Sequence, residues 1–301
     1  MCSVAQRRFE FIQLDVFTRT RLEGNPLAVF TDARDLSDSE MQALAREMNL
    51  SETTFIFPRD RATEDREGVK VRIFTVEEEL PFAGHPTLGT ALCLRGLRGE
   101  RGEAAEQIDL DLKVGRIPVR FSAGADGAVF GEMRQRDPEF GEILDRGRVA
   151  EVIGVPEEDL APQWPIQAVS TGFAFAIVPF RRLESLSSVK FNFSEAAEFL
   201  SRTSARMFYF VCPPENSREA RARMIFYNGE DPATGSAAGC AAAWMVHHNV
   251  IGSEEQILIR QGVEIRRPSH IFVRATRQNE GVTNVRVGGY AVEVARGTVS
   301  I

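Results

Sequence analysis

Cysteine is scarce in this chain. Of 301 residues only Cys2, Cys93, Cys212 and Cys240 are cysteines, and no two form a Cys-x-x-Cys pair. That spacing supports neither a disulfide framework nor a zinc site, and a reducing, cytoplasmic setting is expected. No run of about 20 apolar residues occurs, so no membrane span is expected. The first residues lack the apolar stretch of a secretory signal, and no glycine follows the first methionine to accept a myristoyl group. Basic residues are not in excess: 36 Lys and Arg face 43 Asp and Glu, for a net charge of -7, and no basic stripe stands out to hold nucleic acid. Also missing are the His-Glu-x-x-His helix, the phosphate loop and the strand-borne Gly-x-Gly-x-x-Gly, so metal, nucleotide and dinucleotide chemistry have no motif to rest on. His247 and His248 are adjacent on a helical stretch and should point apart, and His270 has no spaced partner.

What is present is the balance of a globular protein, 43% hydrophobic and 26% charged, in a chain long enough for two domains. The chain also echoes itself. His85-Pro86-Thr87-Leu88-Gly89-Thr90-Ala91 aligns without gaps on Asp231-Pro232-Ala233-Thr234-Gly235-Ser236-Ala237, 146 positions later. Gly24-Asn25-Pro26-Leu27-Ala28-Val29 resembles Gly172-Phe173-Ala174-Phe175-Ala176-Ile177 at an offset of 148. Two echoes at nearly one offset predict two copies of one fold.

The coarse pattern is the same in both halves. In the first, strands are expected at 9–17, 28–31, 53–57, 69–75, 107–114 and 117–122. Ser37 with Glu40 forms a capping-box signature ahead of a helix at 41–48, and a second helix is expected at 87–96. In the second, strands are expected at 168–171, 173–178, 206–211, 222–227, 256–259, 271–275, 282–287 and 291–294, with a turn at Gly288-Gly289. Helices are expected at 194–201, capped by Ser194, and at 233–247. Positions 235–243 carry only Gly, Ser, Ala and Cys, with no polar stripe, which suggests a helix enclosed by sheet rather than lying on a surface.

The proline in each copy fits a first helical turn and places His85 and Asp231 just ahead of helix starts. Helix N-termini offer unpaired N–H groups and positive dipole character, and Gly89, Thr90, Gly235 and Ser236 let an anion come close. A carboxylate flanked by His85 and Asp231 is the chemistry this suggests, although capping alone would equally explain Asp231. Glu52, between a helix and a strand, is placed to take and give a proton if partly buried, and otherwise is a solvated loop residue. Asn25 either orients a substrate or serves a tight turn. The run Glu77-Glu78-Glu79 reads as a solvated turn.

Several segments together resemble the PhzF family of phenazine-biosynthesis-like proteins. They are Gly24–Phe30, Asn49–Thr53, Pro81–Gly89, Glu230–Gly239, Gln261-Gly262 with Arg267-Pro268-Ser269, and Val287–Val292. The resemblance runs in order from about residue 10 to the end of the chain. It implies an α+β, diaminopimelate-epimerase-like fold: two pseudo-symmetric β-barrel-like domains, each around a central helix, with the active site in the groove between them. The expected domains are 1–127 with strands 288–301 returning to it, and 128–287. The resemblance further implies a homodimer and a cofactor-independent isomerase of a small amino- or hydroxy-carboxylate, since the family's named member isomerises dihydrohydroxyanthranilate. No metal, nucleic acid or membrane partner is expected. The family's acid/base glutamate falls on Glu52, its substrate-contacting His and Asp on His85 and Asp231, and its helix-start backbone on Gly84, Gly235 and Ser236. Epimerases of the fold use two cysteines, and neither Cys93 nor Cys240 occupies those positions, which favours one carboxylate working on one face of the substrate. A dehydratase, a racemase or a non-catalytic binder are the alternatives. The family's loop is longer where this chain has Tyr227-Asn228-Gly229, so the substrate is expected to differ in size or identity.

Overall fold

The computed structural model describes residues 6–103, 105–124, 127–214, 218–226, 229–279 and 281–301. Two compact units emerge, Met1–Met133 with Gly289–Ile301, and Arg134–Gly288. The first half contributes β1 (Arg8–Val16), β2 (Asn25–Phe30), α1 (Asp38–Met48), β3 (Glu52–Phe57), α2 (Arg61–Glu67), β4 (Val69–Phe74), β5 (Glu79–Leu80), α3 (Gly84–Glu100), β6 (Gln107–Leu112), β7 (Gly115–Ala123) and β8 (Val129–Arg134). The second contributes β9 (Glu139–Leu144), α4 (Arg146–Ile153), β10 (Ile166–Ser170), β11 (Ala174–Pro179), α5 (Leu183–Ser188), α6 (Phe193–Leu200), β12 (Met207–Cys212), β13 (Glu219–Arg223), β14 (Ile225–Phe226), β15 (Gly229–Glu230), α7 (Gly235–His247), β16 (Ile257–Gln261), β17 (Ser269–Gln278) and β18 (Gly281–Gly289). The last strand, β19 (Ala291–Ser300), pairs antiparallel with β1 in the first unit.

The two units repeat one pairing scheme. In the first, β1–β2 is antiparallel, β2–β3 parallel, β3–β4 antiparallel, β4–β6 parallel and β6–β7 antiparallel. In the second, β10–β11, β11–β12, β12–β13, β13–β16 and β16–β17 follow the same sequence of directions. The parallel steps require crossovers, and these are where the helices lie. One helix in each unit packs against several strands of its own sheet: α3 on β1, β2, β3 and β6, and α7 on β10, β11, β12 and β17.

Registers turn this likeness into residue equivalences. Leu27 faces Glu52 and Phe55 faces Arg72 in the first unit; Phe175 faces Met207 and Phe210 faces Arg223 in the second. Both Arg residues then make the same bidentate bond, Nε and Nη2 to the two oxygens of a carboxylate seven residues on, Glu79 and Glu230. Each helix begins five residues after that carboxylate, at Gly84 and at Gly235. Structural equivalence at the helix starts therefore runs at an offset of 151, which corrects the gapless alignment at 146. Gly84 corresponds to Gly235 and His85 to Ser236, whereas Asp231 corresponds to Leu80. Similar letters arose at different helical positions because both helices need small residues near sheet. Gly89, one turn inside α3, is where an added Cβ would meet Leu27 and Val16 side chains at 2.6 Å. The other echo holds: Gly24 and Gly172 both have positive φ, 68° and 132°, just ahead of β2 and β11.

Local signals are mostly where the residues placed them. The Ser37–Glu40 capping box forms at the start of α1. α7 is buried along almost its whole length, as its small-residue run predicts. Some boundaries differ. The cap of α6 is Asn192, two positions ahead of the expected Ser194, and its side-chain oxygen accepts from the Ser194 amide. The strand expected at 222–227 divides into β13 and β14, and Tyr227 and Asn228 lie outside the described residues. Gly288-Gly289 is no turn; β18 runs through it and only Tyr290 separates it from β19. The short α2, α4 and α5 were not anticipated. The run at Glu77–Glu79 is not simply solvated, since the Glu79 side chain is 13% exposed and paired with Arg72 and Lys113. Its carboxyl is held below the usual range chiefly by the Arg72 hydrogen bonds.

Enclosure of the helices sets a test. A Cβ at Gly239 would meet Oε1 of buried Gln135 at 1.9 Å, and that amide is tied to the Gly235 carbonyl and to Thr171. Gly239→Ala should cost about 1–3 kcal/mol. Gly96→Ala, on the exposed side of α3 with nothing near its Cβ, should instead add about 0.5–1 kcal/mol. Denaturant melts of both variants check this; equal effects would contradict the enclosure of α7.

Candidate active site

In the first unit Glu52 opens β3, and the side chains of a strand alternate between faces. Glu52 and Thr54 therefore share the face turned to α3. Thr54 Oγ1 lies 2.8 Å from Thr90 Oγ1, both buried. Glu52 Oε2 lies 3.5 Å from Nε2 of His85. Two strand residues span roughly 6.6 Å and five helical residues roughly 7.5 Å, so the same parallel run of strand and helix carries both contacts. Glu52 is no solvated loop residue: its side chain is 16% exposed.

His85 lies in the first turn of α3, not ahead of it, because the helix starts at Gly84 with Ala83 as its cap. The ring is 4% exposed, and burial pushes its pKa down to about 3, against a weaker opposing hydrogen bond to the Pro26 carbonyl. A neutral imidazole beside a carboxylate is a near contact rather than an ion pair, and 3.5 Å is too long for a good hydrogen bond. Nδ1 lies 3.2 Å from Nδ2 of Asn25. Asn25 is the first residue of β2 and is fully buried. It follows Gly24, where a Cβ would meet the Val16 carbonyl at 2.4 Å, so the turn that delivers Asn25 to the ring needs glycine. Nε2 itself is buried and makes no hydrogen bond among the described residues. A buried nitrogen left unsatisfied beside a carboxylate is costly unless a ligand atom completes it.

In the second unit Asp231 precedes α7 but does not cap it. The cap is Thr234, whose hydroxyl donates to Asp231 Oδ2 at 2.6 Å. The Asp231 amide donates to the Met224 carbonyl at 2.9 Å. Gly235 and Ser236 are the first two residues of α7, where helical geometry provides no acceptor for the amides. The cap makes no side-chain hydrogen bond to them. Gln261, which the sequence marks only within the Gln261-Gly262 motif, reaches this turn from β16 and bonds to both Asp231 and Thr234.

Among the described residues, nothing in the second unit repeats Glu52. The register equivalent is Met207, and the equivalent of Asn25 is Phe173. Cys93 and Cys240 offer no substitute. Cys93 and Cys240 are buried within α3 and α7, and burial raises them to about 12 and about 11. His247 and His248 do not point apart as expected: their rings meet edge to face at 4.8 Å. His247 also stacks on Phe140, and His248 Nε2 meets Gln167 Oε1 at 2.8 Å. Among the described residues no group of three or more His, Cys, Asp or Glu could hold a metal ion. Among the described residues no helix is long and apolar enough to cross a membrane. The shared Arg–Glu bonds, Arg72–Glu79 and Arg223–Glu230, were missed in the sequence, though an Arg followed seven residues later by Glu, twice, each five residues before a helix, was readable there.

The sequence model for phenazine biosynthesis-like proteins matches residues 14–297. A trans-2,3-dihydro-3-hydroxyanthranilate isomerase of Pseudomonas chlororaphis is 35% identical over 293 residues, spanning 96% of this chain and 98% of its own. Among solved structures, a phenazine biosynthesis protein of the PhzF family from Bacillus anthracis matches with a TM-score of 0.85 and 26% identity, over 98% of this chain and 100% of its own. A hydroxyproline epimerase from Agrobacterium vitis matches with a TM-score of 0.65 at 10% identity, over 98% of this chain and 93% of its own, a likeness of fold alone. With its paired α+β units of diaminopimelate-epimerase-like fold, the chain belongs to the PhzF family of phenazine biosynthesis-like proteins and is an isomerase of that type.

Proposed function

We propose that the protein shifts a proton within a small, cyclic or unsaturated amino- or hydroxy-carboxylate, with Glu52 as the one group that takes a proton from one carbon, exchanges it with solvent and delivers one to another carbon. The observation that carries this reading is the buried, unsatisfied Nε2 of neutral His85, 3.5 Å from the Glu52 carboxylate. A polar substrate atom bonded to Nε2 would lie beside that carboxylate. Proximity of this kind is what a general acid/base requires. His85, set by Asn25, orients the substrate; Gly84 adds its backbone at the same helix start. Asp231 holds an amino or hydroxyl group, and the first-turn amides of Gly235 and Ser236 bind the carboxylate.

Inversion at one carbon needs groups on opposite faces. The lack of a Glu52 equivalent at Met207, together with the Cys93 and Cys240 thiols that burial keeps protonated, favours a shift by one carboxylate over racemisation. The relative of Pseudomonas chlororaphis makes trans-2,3-dihydro-3-hydroxyanthranilate the first compound to try.

Two outcomes are expected. In heavy water, wild type should place deuterium at a single carbon of that compound or of another small carboxylate in a panel. Glu52→Gln should lower the rate roughly 100- to 10,000-fold while the variant still folds. Turnover by Glu52→Gln at the wild-type rate would end the assignment.

The second outcome concerns pH. With a folded pKa of about 3 against an ordinary 6.5, the His85 ring stays neutral in the folded chain while the unfolded chain protonates. Between those values the unfolded state binds more protons, so stability is complete above pH 6.5 and declines as pH falls toward 3. From pH 7 to pH 5 this one ring should remove about 2 kcal/mol. Urea melts of wild type and His85→Gln across that range should diverge by this amount. Nitrogen NMR of the wild-type ring gives the same answer without a variant; a protonated His85 at pH 5 would refute it.

A further inference from the structure

The Gln261-Gly262 motif has no part in the chemistry above, yet its side chain makes every hydrogen bond an amide can make. Gln261 is fully buried at the end of β16. Its Oε1 accepts from the Tyr209 hydroxyl at 3.0 Å and from the Thr234 amide at 3.2 Å. Its Nε2 donates to the Asp231 carbonyl at 2.8 Å and to Thr234 Oγ1 at 2.9 Å. Two lone pairs and two N–H groups are all used. The amide cannot be reversed, because that would set its NH2 against the Thr234 N–H and its oxygen against the Asp231 carbonyl. Burial raises the Tyr209 phenol well above its ordinary value, so it remains a donor.

The direction of one proton follows. Thr234 Oγ1 receives an N–H from Gln261, so its own hydrogen is available to Asp231 Oδ2, 2.6 Å away. Gly262 lets the strand end approach the turn: with φ at +75°, a Cβ there would meet the Arg267 carbonyl at 2.4 Å and the Pro232 carbonyl at 2.7 Å. The other unit shows what the fold alone requires. Through the registers β4–β6 and β13–β16, the place of Gln261 is taken by Leu112, and that of Asp231 by Leu80. Two copies of one scaffold share the Arg–Glu bond, but only the copy with the aspartate has the glutamine.

We propose that Gln261 is a positioning residue, whose amide orients the Thr234 hydroxyl so that it donates to Asp231 and fixes the direction in which that carboxylate meets substrate. This rests on the reading of Asp231 as a substrate contact.

Gln261→Glu separates positioning from packing. It is nearly isosteric and keeps an oxygen for the Thr234 amide and for Tyr209. Its second oxygen, however, accepts where Nε2 donated and draws the Thr234 proton away from Asp231. Thr234→Val removes the hydroxyl at nearly constant shape. With trans-2,3-dihydro-3-hydroxyanthranilate, or the panel compound that wild type deuterates, each variant should lower kcat about 10- to 100-fold with a smaller change in KM. In the Thr234→Val background, Gln261→Glu should cost nothing further. Multiplying penalties, or full activity in Gln261→Glu, would overturn the proposal. Asp231→Asn marks the other possible failure: if it keeps wild-type turnover, the role given to Asp231 itself is wrong. Crystal structures carry the test without any substrate. In Gln261→Glu the Asp231 carboxylate should leave the Thr234 hydroxyl, and an unchanged 2.6 Å contact would refute the positioning role.

Discussion

Sheet enclosing a helix is the constraint on which the rest of each unit depends. α3 and α7 touch strands on several sides, so their surfaces toward the sheet must be small or apolar. A helix so placed can carry polar chemistry only at its ends, where the backbone itself has groups to spare. The candidate site residues of both units accordingly gather near helix starts: Gly84 and His85 on α3, and Asp231, Gly235 and Ser236 at α7. The cysteines further along the same helices are fill, protonated by burial and remote from any helix end.

Where a helix begins is then the quantity to control, and the Arg–Glu bonds control it. Arg72 and Arg223 face the same position of the neighbouring strand in their two sheets, and each holds a glutamate five residues before its helix. In the second unit Arg223 also bonds the carbonyls of Leu186, Ser187 and Val189, tying the end of α5 to the same point. Charged groups this buried are stable only when fully paired. Losing one partner would strand the other, so the start of the helix is fixed by an arrangement that tolerates little drift.

Much of this was legible in the residues. Alternation and β-branched runs located the strands, because a half-buried strand has to alternate. The Ser37–Glu40 pair located α1, because a cap is a local bond. The small-residue run of α7 betrayed its enclosure. The motifs around Glu52, His85 and Asp231 carried the family outright. What could not be read was register. The gapless match of Pro86 with Pro232 is a likeness of composition, since Pro86 lies inside α3 and Pro232 ahead of α7, and five positions of slippage lie between it and the structural equivalence. Only the strand pairings, which are non-local, reveal that His85 corresponds to Ser236 and Asp231 to Leu80. Short helices such as α2 and α5 were missed for a related reason: neither is long enough to show a period.

Correcting the register changes how the duplication is understood. With His85 and Asp231 taken as counterparts, the two copies look like matched halves of a symmetric device. With the true equivalences, each candidate site residue of one copy has an apolar counterpart in the other: Glu52 and Met207, Asn25 and Phe173, Asp231 and Leu80, Gln261 and Leu112. The shared features are those a fold needs, the pairing order, the Arg–Glu bond and the positive-φ glycine before the second strand. Symmetric chemistry such as inversion would call for comparable groups in both copies. A reaction in which one carboxylate removes a proton and delivers one on the same face has no such requirement.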